Sequence, residues 1–343
     1  MNENKVTIQF EHVSKKFPKS GGLFTRRKWL NAVSDVTFDI SPGEALAIVG
    51  ESGCGKTTMA KMITKLLDPT SGKIFVDGRD VSHGMSPNEL KAFRSKVQII
   101  FQDPFGSLNI AHKTRDIVGR AVEIHNPHLS RHEVDETVFD IFEKVGLTPA
   151  EDYMEKYPNQ LSGGQRQRIV IARAIAVNPS IIVADEPTSM LDVSIGIDIM
   201  NLLLKLKREE NLTFMYITHN LASARYMAER IIVMYAGNCV EIGDINEVIQ
   251  EPYHPYTVLL LASTPEPFRE EEYIINASEQ LPDLTDESPR CLFADRCPKV
   301  MDICRQQKPP IVEFQNRKVM CFLYADQGEQ PQPQSLCAVK DYA

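Results

Sequence analysis

The sequence predicts an α/β fold with a parallel sheet at its centre, and three observations predict it. A glycine-rich loop at 50–57 stands between the apolar run Ala45-Leu46-Ala47-Ile48-Val49 and a helical stretch at 58–67. A second apolar run, 181–184, ends in two carboxylates, Asp185 and Glu186. Elsewhere strand-like and helix-like segments alternate, which implies right-handed crossovers between parallel neighbours.

Taken in order, residues 6–13 alternate apolar and polar and read as a half-buried strand. Residues 19–27, rich in glycine and basic side chains, read as a loop. Residues 36–40 form a second alternating strand, closed by Ser41-Pro42-Gly43. Strands follow at 73–76 and 97–101. From about 113 to 146 the pattern is helical, and 165–177 is another helix. The wholly apolar strand 181–184 suits the middle of a parallel sheet. An amphipathic helix at 193–209 precedes strands at 212–217, 231–234 and 239–242. Near residue 265 prolines and glutamates suggest a linker, and Gln327 to Gln334 reads as a disordered tail.

Composition limits the function. The chain has 343 residues, 43% of them hydrophobic, and a net charge of −8. That charge disfavours nucleic acid as a partner; Arg26-Arg27-Lys28 is a short solvated cluster. No apolar run approaches the ~18 residues needed to span a bilayer. The polar N-terminus lacks a signal-peptide core. The expectation is a soluble cytoplasmic protein whose membrane role comes through partners. Four of seven cysteines fall between 291 and 321, which in a reducing compartment points to metal before disulfides.

Gly50-Glu51-Ser52-Gly53-Cys54-Gly55-Lys56-Thr57 fits the phosphate-binding pattern Gly-x-x-x-x-Gly-Lys-Thr. Gly50, Gly53 and Gly55 let the backbone curl so that N–H groups face phosphate oxygens. The helix start adds a positive dipole end. Lys56 is expected at the β- and γ-phosphates and the Thr57 hydroxyl on Mg²⁺. Ser52, Cys54 and Thr58 complete the expected nucleotide contacts; at Cys54 a small side chain suffices. A glycine-rich turn that merely contains lysine is the alternative, and the strand–loop–helix context counts against it.

Asp185 sits where it could hold Mg²⁺ through water, and Glu186, facing the other way, could polarise an attacking water. Two exposed acids at a strand end are the alternative, although carboxylates buried without partners are costly. Ser162-Gly163-Gly164-Gln165 opens a helix and could receive a phosphate; by itself it fits an ordinary N-cap equally well.

The ordered set resembles the ATP-binding-cassette (ABC) family over roughly residues 5–250. Residues 50–57 match its Walker A motif, Leu161 to Gln165 the signature, and Asp185-Glu186 the end of Walker B. Gln102 matches the Q-loop, Ser189-Met190-Leu191-Asp192 the D-loop, and His219 the switch histidine. The resemblance implies a P-loop NTPase with a RecA-like parallel core, an antiparallel β subdomain and an α-helical subdomain at about 105–178. The cassette spans 1–252, with a Cys-rich C-terminal extension at 253–343. It implies that Gln102 contacts Mg²⁺ and the attacking water, and that His219 bonds the γ-phosphate. Without the other motifs, His219 would read as a packed or capping residue. Phe17 matches the adenine-stacking aromatic, with Trp29 its rival and plain core the other option. The signature serves ATP on a second cassette, so a partner ATPase subunit is required.

Phe101 to Asn109, Arg166-Gln167-Arg168-Ile169, Asp192-Val193-Ser194-Ile195 and His254-Pro255-Tyr256-Thr257 resemble the dipeptide/oligopeptide importer branch. Met190 and Gly196-Ile197-Asp198 depart from its usual pattern, which leaves oligosaccharides or nickel as alternative cargoes. The branch implies a heterodimer of ATPases on the cytoplasmic face of the membrane, two membrane permease subunits and an extracytoplasmic solute-binding protein. Cys291, Cys297, Cys304 and Cys321, separated by five, six and sixteen residues, match an arrangement that in some relatives binds a [4Fe–4S] cluster. Zinc and unliganded thiols are the alternatives. Cys54, Cys239 and Cys337 are expected to be unliganded. Two further functional classes stay open: a soluble ABC protein without a transporter, and a C-terminal metal-binding docking module.

Overall fold

The computed structural model describes residues 6–19, 28–263, 282–285, 288–314 and 316–325. Of the expected loop at 19–27, Lys19 belongs to a strand and 20–27 lie outside the described residues, as do the linker near 265 and the tail with Cys337. The strands are β1 Ile8–Lys19, β2 Lys28–Ile40, β3 Ala45–Val49, β4 Ser71–Val76, β5 Arg79–Asp80 and β6 Val97–Ile100. They continue as β7 Ile181–Asp185, β8 Thr213–Thr218, β9 Arg230–Tyr235, β10 Asn238–Asp244, β11 Ile311–Phe314 and β12 Arg317–Met320. β2-β1-β4-β5 form an antiparallel sheet, and β11-β12-β10-β9-β3-β8-β7-β6 form a larger mixed one.

The larger sheet has a parallel core, β9-β3-β8-β7-β6. Every residue of β3, β7 and β8 is buried, as strands covered on both faces require. The helix Lys56–Ile63 packs Met59, Ala60, Met62 and Ile63 into the core that also holds Ile8, Phe10 and Phe38 of the smaller sheet. Phe10 and Phe38, register partners on β1 and β2, stack at 4.5 Å. Each large apolar side chain buried in this way contributes about 1.5–3 kcal/mol.

The helical stretch expected at 113–146 is two helices, Thr114–His125 and Arg131–Lys144. Pro127 stops the first by excluding helical geometry at Asn126. Ser130 restarts the second, its hydroxyl accepting the Glu133 N–H while Glu133 caps the Ser130 N–H. With Gly163–Ile175 these helices share one core cluster, which covers the β6–β8 side of the sheet.

The expected Cys-rich extension is not supported as an appendage of its own. The helix Pro255–Ala262 is almost wholly buried and packs with β9 and Phe293. β12 pairs with β10 through Glu241↔Val319 and Ile242↔Lys318, so the C-terminal segment lengthens the main sheet. The reason is that β10 has a free edge whose N–H and C=O groups pair with the next strand to arrive.

Candidate active site

β3 delivers the glycine-rich loop from the middle of the parallel core. A Cβ on Gly50 would lie 2.2 Å from the Met234 carbonyl oxygen, and one on Gly55 2.3 Å from that of Ala32. Gly55 also holds φ +110°, a conformation side chains resist. Lys56 is buried, and its Nζ donates to the carbonyls of Gly50 at 2.7 Å and Glu51 at 2.9 Å. Ser52, Gly53 and Thr57 are exposed at the mouth of the loop, with Thr58 partly covered behind. Cys54 is buried against Gly50, and burial pushes its thiol pKa up.

Asp185, at the end of β7, is buried, and Thr57 Oγ1 donates to its Oδ1 at 3.4 Å. Desolvation raises its pKa, Glu186 adding to the rise and the Thr57 bond opposing it. A hydroxyl and a half-satisfied buried carboxylate are hard oxygen donors, the kind that Mg²⁺ accepts. Glu186 has φ 48°, a strained value for a residue with a side chain. Its N–H still reaches the Ile217 carbonyl on β8 at 2.9 Å.

Gln102 lies just past β6, beside β7, and His219 just past β8 on the other side. Gln102 Nε2 donates to Glu186 Oε2 at 3.0 Å, and His219 Nδ1 lies 3.1 Å from the same oxygen. The carboxyl ends of parallel neighbours thus bring together residues distant in sequence, where open α/β sheets bind ligands. Glu186, Ser189, Asp192 and His219 line one cleft of about 470 Å³.

Ser162 caps the helix Gly163–Ile175 in a capping box with Gln165 and is itself exposed. Gly163 and Gly164 face Leu191 and Ile195, beside Asp192; a Cβ on Gly164 would come within 2.6 Å of Ile195. Among the described residues, no hydrogen bond or ion pair joins Ser162–Gln165 to the loop at 50–57. Phe17 and Trp29 lie at the far end of the β1–β2 ribbon, one register step apart, opposite Leu30 and Pro18 respectively. Phe17 is half-buried with Lys15 Nζ 5.3 Å from its ring centre, whereas Trp29 is 42% exposed.

Sequence reasoning missed two clusters. Fully buried Glu241 accepts from the N–H groups of Tyr253 and His254, each at 2.9 Å, and from Thr257 Oγ1 at 2.6 Å. The stretch His254-Pro255-Tyr256-Thr257 is folded around this carboxylate. Glu51 of the loop pairs with Arg296, 245 residues away, and no local pattern announces either contact.

The iron–sulfur and zinc expectations are not supported. Cys291, Cys297, Cys304 and Cys321 lie within electrostatic reach of one another. Yet among the described residues no group of three or more His, Cys, Asp or Glu side chains is placed to hold a metal ion. Burial raises the Cys291 pKa and pushes the Cys297 and Cys321 thiols up to about 12. Cys291 and Cys297 pack against one core cluster and Cys321 lies in another. No described helix is long and apolar enough to cross a membrane.

The ABC transporter family model matches residues 33–189. The model of the oligopeptide/dipeptide transporter C-terminal region matches residues 240–304. The chain is 40% identical over 329 residues to the oligopeptide transport ATP-binding protein AppF of Bacillus subtilis, covering 94% of this chain and 99% of that one. It is 37% identical over 327 residues to the dipeptide transport ATP-binding protein DppF of Escherichia coli, covering 95% and 96%. Among solved structures it is similar to the ATP-binding cassette MJ0796, a dimer bound to ADP and Pi. That match has a TM-score of 0.61 at 32% identity, covering 69% of this chain and 98% of the other. It is also similar to cbiO1 of Clostridium perfringens, with a TM-score of 0.60 at 26% identity over 71% of this chain and 90% of the other. Relatives matched over nearly their whole lengths, and the same residues gathered at one end of a parallel core, place the chain in the family of ABC transporter ATP-binding proteins, which hydrolyse ATP.

Proposed function

We propose that the chain is the ATP-hydrolysing subunit of a peptide importer. The observation that carries this reading is the Glu186 carboxylate, held by Gln102 and His219 next to the Asp185–Thr57 pair. The names of the relatives supply dipeptides and oligopeptides as the cargo.

The loop N–H groups and Lys56 bind the β- and γ-phosphates. A phosphate oxygen carries more charge than a peptide carbonyl, so Lys56 exchanges its bonds to Gly50 and Glu51 for a stronger one. Thr57 and Asp185 would hold Mg²⁺, which when bound would neutralise charge on the phosphate oxygens. Glu186 takes a proton from the attacking water. Gln102 and His219 orient that carboxylate, and His219 reaches the γ-phosphate as charge develops there. Phe17 stacks on the adenine. Ser162 to Gln165 and Asp192 serve the nucleotide on a second cassette; Ser162 and Asp192 are exposed and Gly163, Gly164 and Gln165 partly so, which leaves them within reach of a partner.

The full machine on this reading pairs this subunit with a second ATPase, two membrane permeases and an extracytoplasmic solute-binding protein. The chain sits on the cytoplasmic face of the membrane. The experiment is uptake of a radiolabelled dipeptide into liposomes that hold the assembled complex, with ATP supplied on the cassette side. Uptake that stops in a Glu186→Gln complex supports the reading. Uptake of nickel or an oligosaccharide in place of peptide would reassign the cargo.

A further inference from the structure

We propose that Arg296 is a positioning residue for the phosphate loop, neutralising and anchoring Glu51 so that the loop can accept a triphosphate. Glu51 is the second residue of the loop, so an unpaired carboxylate there would add negative charge beside the seat of a triphosphate. Arg296 answers with a two-pronged pair: Nη1 donates to Oε2 and Nη2 to Oε1, each at 2.9 Å. The Arg296 side chain is only 11% exposed, and its guanidinium carbon lies 5.7 Å from the Tyr235 ring centre and 6.0 Å from that of Phe293. These rings fix where the charge stands.

The backbone of Glu51 is held as well. Its N–H donates to the Tyr256 hydroxyl at 3.0 Å, and its carbonyl accepts from Lys56 Nζ at 2.9 Å. Glu51 thus links the lysine of the loop to two distant parts of the chain, the helix Pro255–Ala262 and the C-terminal segment, and Arg296 in turn leans on Tyr235 at the end of β9. On this proposal the C-terminal region bears on nucleotide binding through the Arg296–Glu51 pair, with the Tyr256 hydroxyl holding the backbone of the same residue.

The inference rests on the phosphate-loop reading, so the two are tested apart. The probe is ATP itself, with affinity measured by calorimetry on the full chain and KM and kcat measured on the assembled complex. Arg296→Ala, and Arg296→Gln as the gentler change should the first not fold, are expected to weaken ATP binding roughly tenfold. KM rises with kcat little changed, and the loss is larger at low salt. Arg296→Lys, which keeps the charge, retains most of the affinity. Adding Glu51→Gln to either Arg296 variant restores it, because the repelling charge is gone; a side chain that served packing alone would show no such rescue. ATP binding unchanged in both Arg296 variants, or no recovery on adding Glu51→Gln, overturns the proposal. Unchanged affinity in Lys56→Ala would instead remove the phosphate-loop reading.

Discussion

His219 Nδ1 lies 3.1 Å from Glu186 Oε2, the same oxygen that takes the 3.0 Å bond from Gln102. One carboxylate oxygen thus joins the ends of β6, β7 and β8. Among the described residues the other oxygen of Glu186 takes no such bond, which on the proposed reading leaves it for the attacking water.

Glu186→Gln keeps the shape and removes the base. ATP binding is expected to persist while phosphate release slows by roughly 10²–10⁴. Single-turnover release with labelled ATP checks this, and near-normal turnover would take Glu186 out of the role.

Lys56→Ala removes a charge that is already at work in the loop. ATP affinity is expected to fall at least about tenfold. Stability should fall by about 1–3 kcal/mol, because two loop carbonyls lose their donor. Calorimetry and urea unfolding read the two effects separately.

Gly55→Ala combines a positive φ with a Cβ 2.3 Å from a backbone oxygen, whereas Gly78→Ala has φ +77° but open space around it. The first should cost at least about 2–3 kcal/mol and the second about 1–2. Equal losses in urea unfolding would show that the close approach at Gly55 is relieved elsewhere.

Burial pushes the His254 pKa down to about 3. The unfolded chain binds the proton below about pH 6.5, while the fold does so only near pH 3. The contribution of neutral His254 to stability is therefore complete above pH 6.5 and is lost as pH falls towards 3. His254 Nδ1 accepts the Tyr256 N–H, so His254→Asn can keep a helix cap without the titration. The stability gap between parent and variant should shrink by about 1 kcal/mol from pH 6.5 to 5.5. A gap independent of pH would refute the assignment.

Thr257→Val deletes the 2.6 Å hydrogen bond to buried Glu241 and nothing comparable replaces it. The expected loss is about 1.5–3 kcal/mol. Thermal unfolding of the two proteins measures it.

Much of the site was legible because it is written in contiguous runs. Residues 50–57 carry the phosphate-loop pattern in eight consecutive positions, and an apolar strand ending in Asp185-Glu186 announces itself the same way. The partners of Glu186 were named from resemblance alone, because Gln102 and His219 meet it only once β6, β7 and β8 are neighbours. β1 and β2 run well beyond the alternating cores that marked them, since each strand's outer residues are held by cross-strand bonds to the other.

The sequence by itself determined the parallel core, the loop and the paired carboxylates, since these depend on interactions between near neighbours. Only the tertiary structure decided that Cys291, Cys297 and Cys321 pack in or against two core clusters, that β11 and β12 join the main sheet, and that Arg296 closes on Glu51 across 245 residues. Contacts of that reach depend on which strand lies beside which, and a linear reading of side chains carries no term for strand order.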